Sequence, residues 1–337
     1  MNIKLLSFFI AITIAFSSCK KEPFNKISKP LIGTMINLTI GAEAKKSRAV
    51  SKAVFDEIAR IESLMSPFKK SSDIYRVNRY AYKMPVTITP ETFSIIEQSK
   101  RISQESGGAF DISFASLSHL WNYRSKSFKP PSKKSVLQHL PLVNYRNIKL
   151  SPEKMSVSFH KSGMKIGLGG IAKGHAIKRG IEIMKQMGIS SGIVDAGGDL
   201  QVLGTKSGKN WRTGLVHPRK KTLLLALDLV DMDAIATSGD YERFAVYKNR
   251  KYHHIIDPST GYPTRTFSSV TVISKNAIIS DSYATVIFIL GKKRSLSFLK
   301  KHGDLSVVLI DLDFNIYISR SLKNRIQLLE DLKVHWI

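Results

Sequence analysis

Cysteine is nearly absent: Cys19 is the only one among 337 residues, so no disulfide can form within the chain. Acidic residues are also scarce, 26 against 52 lysines and arginines, for a formal charge of +26. The lysines are scattered rather than gathered into an arm, and no recognised nucleic-acid motif or aromatic-interleaved basic stripe accompanies them. Such a charge suits a solvated surface near anionic headgroups better than nucleic-acid binding. Linkers, low-complexity stretches and internal repeats are missing too, which leaves one large domain or two intimately packed ones.

The chain opens with Lys4 and an apolar run from Leu5 to Phe16, then Ser17-Ser18-Cys19. The run is too short to span a bilayer as a mature helix, and the small residues after it mark a signal peptide. The pattern resembles a bacterial lipobox, with Phe16 for the usual leucine and Ser18 for the usual glycine or alanine. Residues 1–19 are therefore expected to be a lipoprotein signal with Cys19 as the lipidated residue, residues 20–29 a polar tether, and residues 30–337 the functional domain.

Helical periodicity places Val54, Ile58, Ile61 and Met65 on one stripe of a helix over Ser51–Met65. A second helix starts at Thr89-Pro90-Glu91, a cap followed by proline, and stops at Gly107-Gly108. Strands dominate from Ile148 onward, at Ser156–Phe159, Gly192–Val194, Leu223–Leu229, Val270–Ile273, Val307–Leu309 and Ile316–Ser319, with a further strand at Met35–Ile40. Helices over Ile171–Met187, Asp281–Leu290 and Ser295–His302 interrupt them. The fold class is α+β, β-rich in its C-terminal half.

Chemistry concentrates in a few segments. Asp281 and Thr285 are four apart before the apolar run Val286–Leu290 and Gly291, so a helix starting near Ser280 or Asp281 projects both from one face. They can serve as oxygen ligands for a hard cation such as Mg²⁺, or Asp281 can simply cap the helix. Gly167-Leu168-Gly169-Gly170 precedes a helix that carries Lys173, which makes either a phosphate cradle or an ordinary tight turn. Further polar turns follow at Ala196-Gly197-Gly198-Asp199, at Thr237-Ser238-Gly239-Asp240-Tyr241 and at His253-His254-Ile255-Ile256-Asp257-Pro258. In the last, histidine is the natural near-neutral acid or base.

Taken in order, these motifs resemble the ApbE-type FAD:protein FMN transferases. The likeness extends to Gly33-Thr34, Met65-Ser66-Pro67-Phe68, Ser106-Gly107-Gly108-Ala109-Phe110-Asp111 and Leu120-Trp121, nearly the whole mature sequence. It implies a single mixed domain and an exported, Mg²⁺-dependent enzyme. Such an enzyme splits FAD and attaches FMN through its phosphate to a threonine of a target protein, releasing AMP. Carried over, Asp281, Thr285 and the Gly170 carbonyl would hold the metal. Ile32, Phe68, Ala109, Phe110, Asp111, Gly167, Lys173 and Ile255 would contact FAD. His254 is the candidate base, with Asp257 orienting it and Asp281 sharing in catalysis. The chain departs from the family at Gly167 (usually aspartate), Phe68 (often tyrosine) and Ile32 (usually methionine). Hydrolysis of FAD on the same site, or non-catalytic flavin binding, are the competing readings. The implied acceptors are membrane redox subunits, met on the periplasmic side of the cytoplasmic membrane through the lipid anchor.

Overall fold

The computed structural model describes residues 23–123, 125 and 127–337, so the signal segment and Cys19 lie outside the described residues. Its centre is a nine-stranded sheet. From one edge to the other the strands are Phe24–Leu31, Thr34–Gly41, Gly192–Ala196, Asp199–Leu203, Ala234–Gly239, Phe267–Ser274, Ser306–Asp311, Ile316–Ile318 and Val334–Trp336. Every neighbouring pair is antiparallel except the last.

Alternation along these strands divides the interior into two layers, because successive side chains leave a strand on opposite faces. Ala234, Val272, Val307 and Leu309 join a core shared with helices, whereas Ile235, Ile273, Val308 and Ile310 join a second core. That second core is closed by a three-stranded sheet of Trp211–Val216, Leu223–Leu229 and Ile326–Leu328. Helices α1 (Ala44–Met65), α2 (Asp73–Tyr80), α3 (Pro90–Glu105), α4 (Lys133–His139), α5 (Ala172–Gln186) and α6 (Ala277–Lys301) complete the domain. Among the described residues no helix is long and apolar enough to cross a membrane.

Several boundaries move from the sequence expectation. Residues 24–29 are not tether: Phe24–Leu31 pairs along its whole length with Thr34–Gly41, Ile27 and Leu31 pack on the core, and Phe24 meets Trp211 edge-on at 5.4 Å. The domain therefore includes residues 24–29, ahead of the expected start at residue 30. Helix α1 starts seven residues before Ser51, because Ser47 and Val50 prolong the buried stripe of Val54, Ile58 and Ile61. Helix α3 forms as read, capped by Thr89 and ended before two glycines of positive φ. The strands Ser156–Phe159 and Leu223–Leu229 also form as read.

Helix α6 matters most. Asn276, not Asp281, is its cap, accepting a hydrogen bond from the Ile278 amide. The expected break at Gly291 is present, where φ reaches 69°. Asp281 and Thr285 thus lie inside the helix, one turn apart and away from its end. Helix α5 crosses the start of α6 at Gly174, where a Cβ would lie 2.3 Å from the Ala277 carbonyl oxygen. Only glycine permits that approach. Gly174→Ala is therefore expected to destabilise the protein by about 1–3 kcal/mol through overpacking, read as a lower thermal midpoint; an unchanged midpoint would contradict the close crossing.

Candidate active site

Beside the α5–α6 crossing, Lys173, Asp281 and Thr285 line a cavity of about 1190 Å³. This exceeds the roughly 300–1,000 Å³ of a pocket for a drug-sized ligand and suits a dinucleotide. Asp281, Thr285, Lys173 and the glycines of the Gly167–Gly170 turn occupy one part of its wall. Phe110, Phe114, Trp121 and Tyr123 supply an aromatic part. Phe68 stands at the rim with 88% of its surface exposed, so core packing does not account for it and its ring face is open to a ligand.

Asp281 is buried, and its Oδ2 accepts the Gly174 amide at 2.9 Å. The carboxylate makes no other hydrogen bond among the described residues, which leaves Oδ1 for a cation or a polar ligand. Burial pushes Asp281 up to about 6; the Lys173 ammonium opposes that shift and the Asp199 carboxylate adds to it. Lys173 pairs with Asp199, whose other oxygen accepts the Thr237 amide at 2.9 Å. Burial works against the Lys173 charge, but Asp199 and Asp281 outweigh it and hold the ammonium above its ordinary pKa. Thr285 Oγ1 lies 3.4 Å from Ser238 Oγ, and Gly170 is close enough that a Cβ there would sit 3.6 Å from Thr285 Oγ1 and 3.1 Å from the Phe110 ring. Among the described residues no group of three or more His, Cys, Asp or Glu side chains could hold a metal. A cation here would rest on one carboxylate and neutral oxygens.

His254 is half-buried at the cavity wall, and its Nδ1–H donates to the Arg243 carbonyl at 3.2 Å. That tautomer leaves Nε2 with a free lone pair. Burial, helped by the Arg243 guanidinium, pushes its pKa down to about 4, so the ring is neutral at physiological pH. Asp257 does not orient it. The Asp257 carboxylate instead caps its own turn, accepting from the Ser259 amide and hydroxyl at 2.8 and 2.7 Å, and it does not line the cavity. An Asp-Pro turn places the carboxylate over the following amides, and the Arg243 carbonyl takes the orienting role.

The remaining expected positions, Ile32, Ala109, Phe110, Asp111, Gly167 and Ile255, all line the cavity. Asp111, however, has both oxygens committed, to the Ser113 amide and hydroxyl and to the Tyr145 amide, so it braces the wall. The first amides of α5 are likewise less free than a simple phosphate cradle requires, since Ala172 donates to Leu168 and Gly174 to Asp281. Ile32 holds a φ of 48°, a strained value for a β-branched residue, at the tight turn that brings it to the cavity.

Comparison with known proteins decides the family. The ApbE family matches residues 32–309. The chain belongs to the ApbE family. It is 28% identical to the FAD:protein FMN transferase of Klebsiella pneumoniae, over 87% of this chain and 90% of that protein. The FAD:protein FMN transferase of Treponema pallidum is 26% identical, over 89% and 88%. Among solved structures, the ApbE protein of Thermotoga maritima superimposes with a TM-score of 0.84 at 30% identity, covering 90% of this chain and 99% of that one.

Within this ApbE-family site, some functional groups escaped sequence reading. Arg219 clamps the buried Asp240 with two hydrogen bonds of 2.6 Å, and so fixes the Ser238–Tyr241 segment that lines the cavity. Asp240 stood in a recognisable polar turn, but Arg219 lies on another segment and had no local signal. Tyr123, stacked on Trp121 at 5.8 Å, has a buried hydroxyl without a partner among the described residues.

The raised Asp281 pKa has a stability consequence. A carboxyl whose folded pKa lies above its ordinary 3.8 contributes fully at pH below about 4, and that contribution is lost as pH rises through about 6. In EDTA, Asp281→Asn is expected to stabilise the protein by about 2 kcal/mol at pH 8 and to change little at pH 4.5. Thermal unfolding at the two pH values checks this, and destabilisation at pH 8 would refute it.

Proposed function

We propose that this protein transfers FMN from FAD to a threonine hydroxyl of a target protein, with Mg²⁺, and releases AMP. The observation that carries the reading is convergence. Asp281, Thr285, Gly170, Lys173 and His254 come from three separate segments, yet they share one dinucleotide-sized cavity with an aromatic wall.

Asp281 Oδ1, the Thr285 hydroxyl and the Gly170 carbonyl are the groups that would hold Mg²⁺. A lone buried carboxylate with an unused oxygen, next to neutral oxygens, fits a hard cation that keeps several waters. Once bound, the ion supplies charge neutralisation for the pyrophosphate. Lys173 adds a fixed positive charge beside the same phosphates. The neutral His254 presents Nε2 to accept the proton of the attacking threonine, held in that tautomer by the Arg243 carbonyl. The exposed ring of Phe68 and the aromatic wall give the flavin and adenine rings apolar faces. Lipidation at Cys19 belongs to the same reading and would place the reaction on the periplasmic side of the cytoplasmic membrane, with a membrane redox subunit as acceptor.

The test incubates the full-length enzyme with FAD, Mg²⁺ and a threonine-bearing domain of such a subunit, followed by mass spectrometry of the acceptor. An FMN-sized gain, abolished by EDTA and lowered about a thousandfold or more by Asp281→Ala, is expected. FMN and AMP appearing with the acceptor unmodified would overturn transfer in favour of hydrolysis. Because a proton on Asp281 competes with the cation, the acid limb of the rate should fall near pH 6 and move lower as Mg²⁺ is raised. A limb that ignores Mg²⁺ would assign it to another group.

A further inference from the structure

The hairpin of Phe244–Tyr247 and Arg250–His253 forms a two-stranded sheet of its own, joined to no other strand among the described residues. Lys248 and Asn249, with φ of 49° and 58°, close it as a two-residue turn. The His254 amide donates to the Arg243 carbonyl, so Arg243 and His254 are a hydrogen-bonded pair. Antiparallel pairing alternates, which makes Ala245–Tyr252 and Tyr247–Arg250 the next bonded pairs. The backbone N–H and C=O groups of Phe244 and Val246 therefore point outward, and no other described backbone group takes them.

The side chains sort in the same way. Ala245, Tyr247 and Tyr252 pack against Trp121 and Phe128, while Phe244 and Val246 face away, 42% and 58% exposed. Lys251 covers Phe244 with its ammonium 4.7 Å from the ring centre. Such an edge, with open backbone groups and exposed apolar side chains, is what a protein normally blunts. Here it starts at the active site: Glu242, Arg243 and Phe244 line the cavity that holds His254.

Building on the transfer reaction proposed above, we infer that the Phe244–Val246 edge docks the acceptor as an added antiparallel or parallel strand, an extended acidic segment carrying the threonine. The transfer chemistry needs a protein hydroxyl delivered to the cavity wall, and this is an unpaired strand edge that runs into it. Backbone pairing would supply affinity, and Phe244 and Val246 would take alternate apolar side chains of the segment. Charge selects an acidic partner, since Arg243, Lys248, Arg250 and Lys251 lie on or beside the hairpin against two carboxylates, Glu242 and the buried Asp240 that Lys251 approaches at 3.5 Å.

The test measures initial rates of FMN transfer to the threonine-bearing domain used above by wild-type enzyme, Val246→Pro and Lys248→Glu. Proline at position 246 removes an outward donor and leaves the inward pairs of the hairpin intact. Val246→Pro is expected to raise the acceptor KM about tenfold with the FAD KM unchanged, and Lys248→Glu to raise it about threefold, more at low salt than at high. If wild-type enzyme labels the acceptor normally and both variants keep its KM, the docking inference is overturned while transfer stands. If wild-type enzyme splits FAD and labels nothing, the transfer reading fails and the docking inference falls with it.

Discussion

The site depends on one buried carboxylate held at a helix crossing. Asp281 can reach the Gly174 amide only because α5 and α6 touch at a residue without a side chain, and the Gly174 contact and the Ala277 carbonyl leave no room for anything larger. That single approach fixes three other features. It places the Gly167–Gly170 turn against Thr285, sets Lys173 within the field of Asp281 and Asp199, and keeps the free oxygen of Asp281 on the cavity wall. A carboxylate desolvated in this way is costly when ionised, which is why its pKa rises toward neutrality despite an adjacent ammonium. Such a group is poised to gain a cation, since binding removes the cost that folding imposes.

Around this centre the charges are arranged in pairs rather than spread. Lys173 is matched by Asp199, and Arg219 by Asp240, with both carboxylates buried. Breaking either pair would strand a buried charge, so the segments bearing them are rigidly placed. His254 is the exception: no carboxylate among the described residues hydrogen-bonds to it, burial and Arg243 keep it neutral, and a backbone carbonyl sets its tautomer. A base held neutral in this way needs no change of protonation before accepting a proton. As the base of the proposed transfer it would be weak in the ground state, and its usefulness would rest on the threonine proton becoming more acidic as attack proceeds.

Much of this was legible in the sequence, and the reason differs from residue to residue. Val54, Ile58 and Ile61 announced a helix because burial on one side imposes a repeat of 3.6, and Thr89-Pro90 announced another because caps are local chemistry. Asp281 and Thr285 were legible as a pair by their spacing, but the true cap, Asn276, precedes the apolar run and was hidden by it. The strand Phe24–Leu31 was hidden because it is an edge strand with lysines along it, so its composition reads as tether. Asp257 misled for a related reason: proximity in sequence to His254 suggested a hydrogen bond, whereas the Asp-Pro turn directs its carboxylate to Ser259. Arg219 was invisible, since its partnership with Asp240 exists only after two distant segments are brought together.

The early start of the fold bears on where the enzyme can meet its acceptor. With Phe24 already paired in the sheet, at most four residues, Lys20–Pro23, stand between Cys19 and the first strand, and four residues reach no further than about 14 Å. If Cys19 carries lipid, the domain is held against the headgroups rather than suspended above them, and a surface of formal charge +26 reinforces that contact with anionic lipid. An acceptor threonine must then be presented close to the same membrane, in a segment able to enter a cavity mouth beside Phe244. Extended chain satisfies that demand better than a folded surface, because a strand exposes one hydroxyl at a time and gains its pairing energy from the backbone, whatever the neighbouring side chains are. A lipid on Cys19, where it is present, and an open strand edge would thus make compatible demands on the acceptor, that its threonine lie in extended chain close to the membrane.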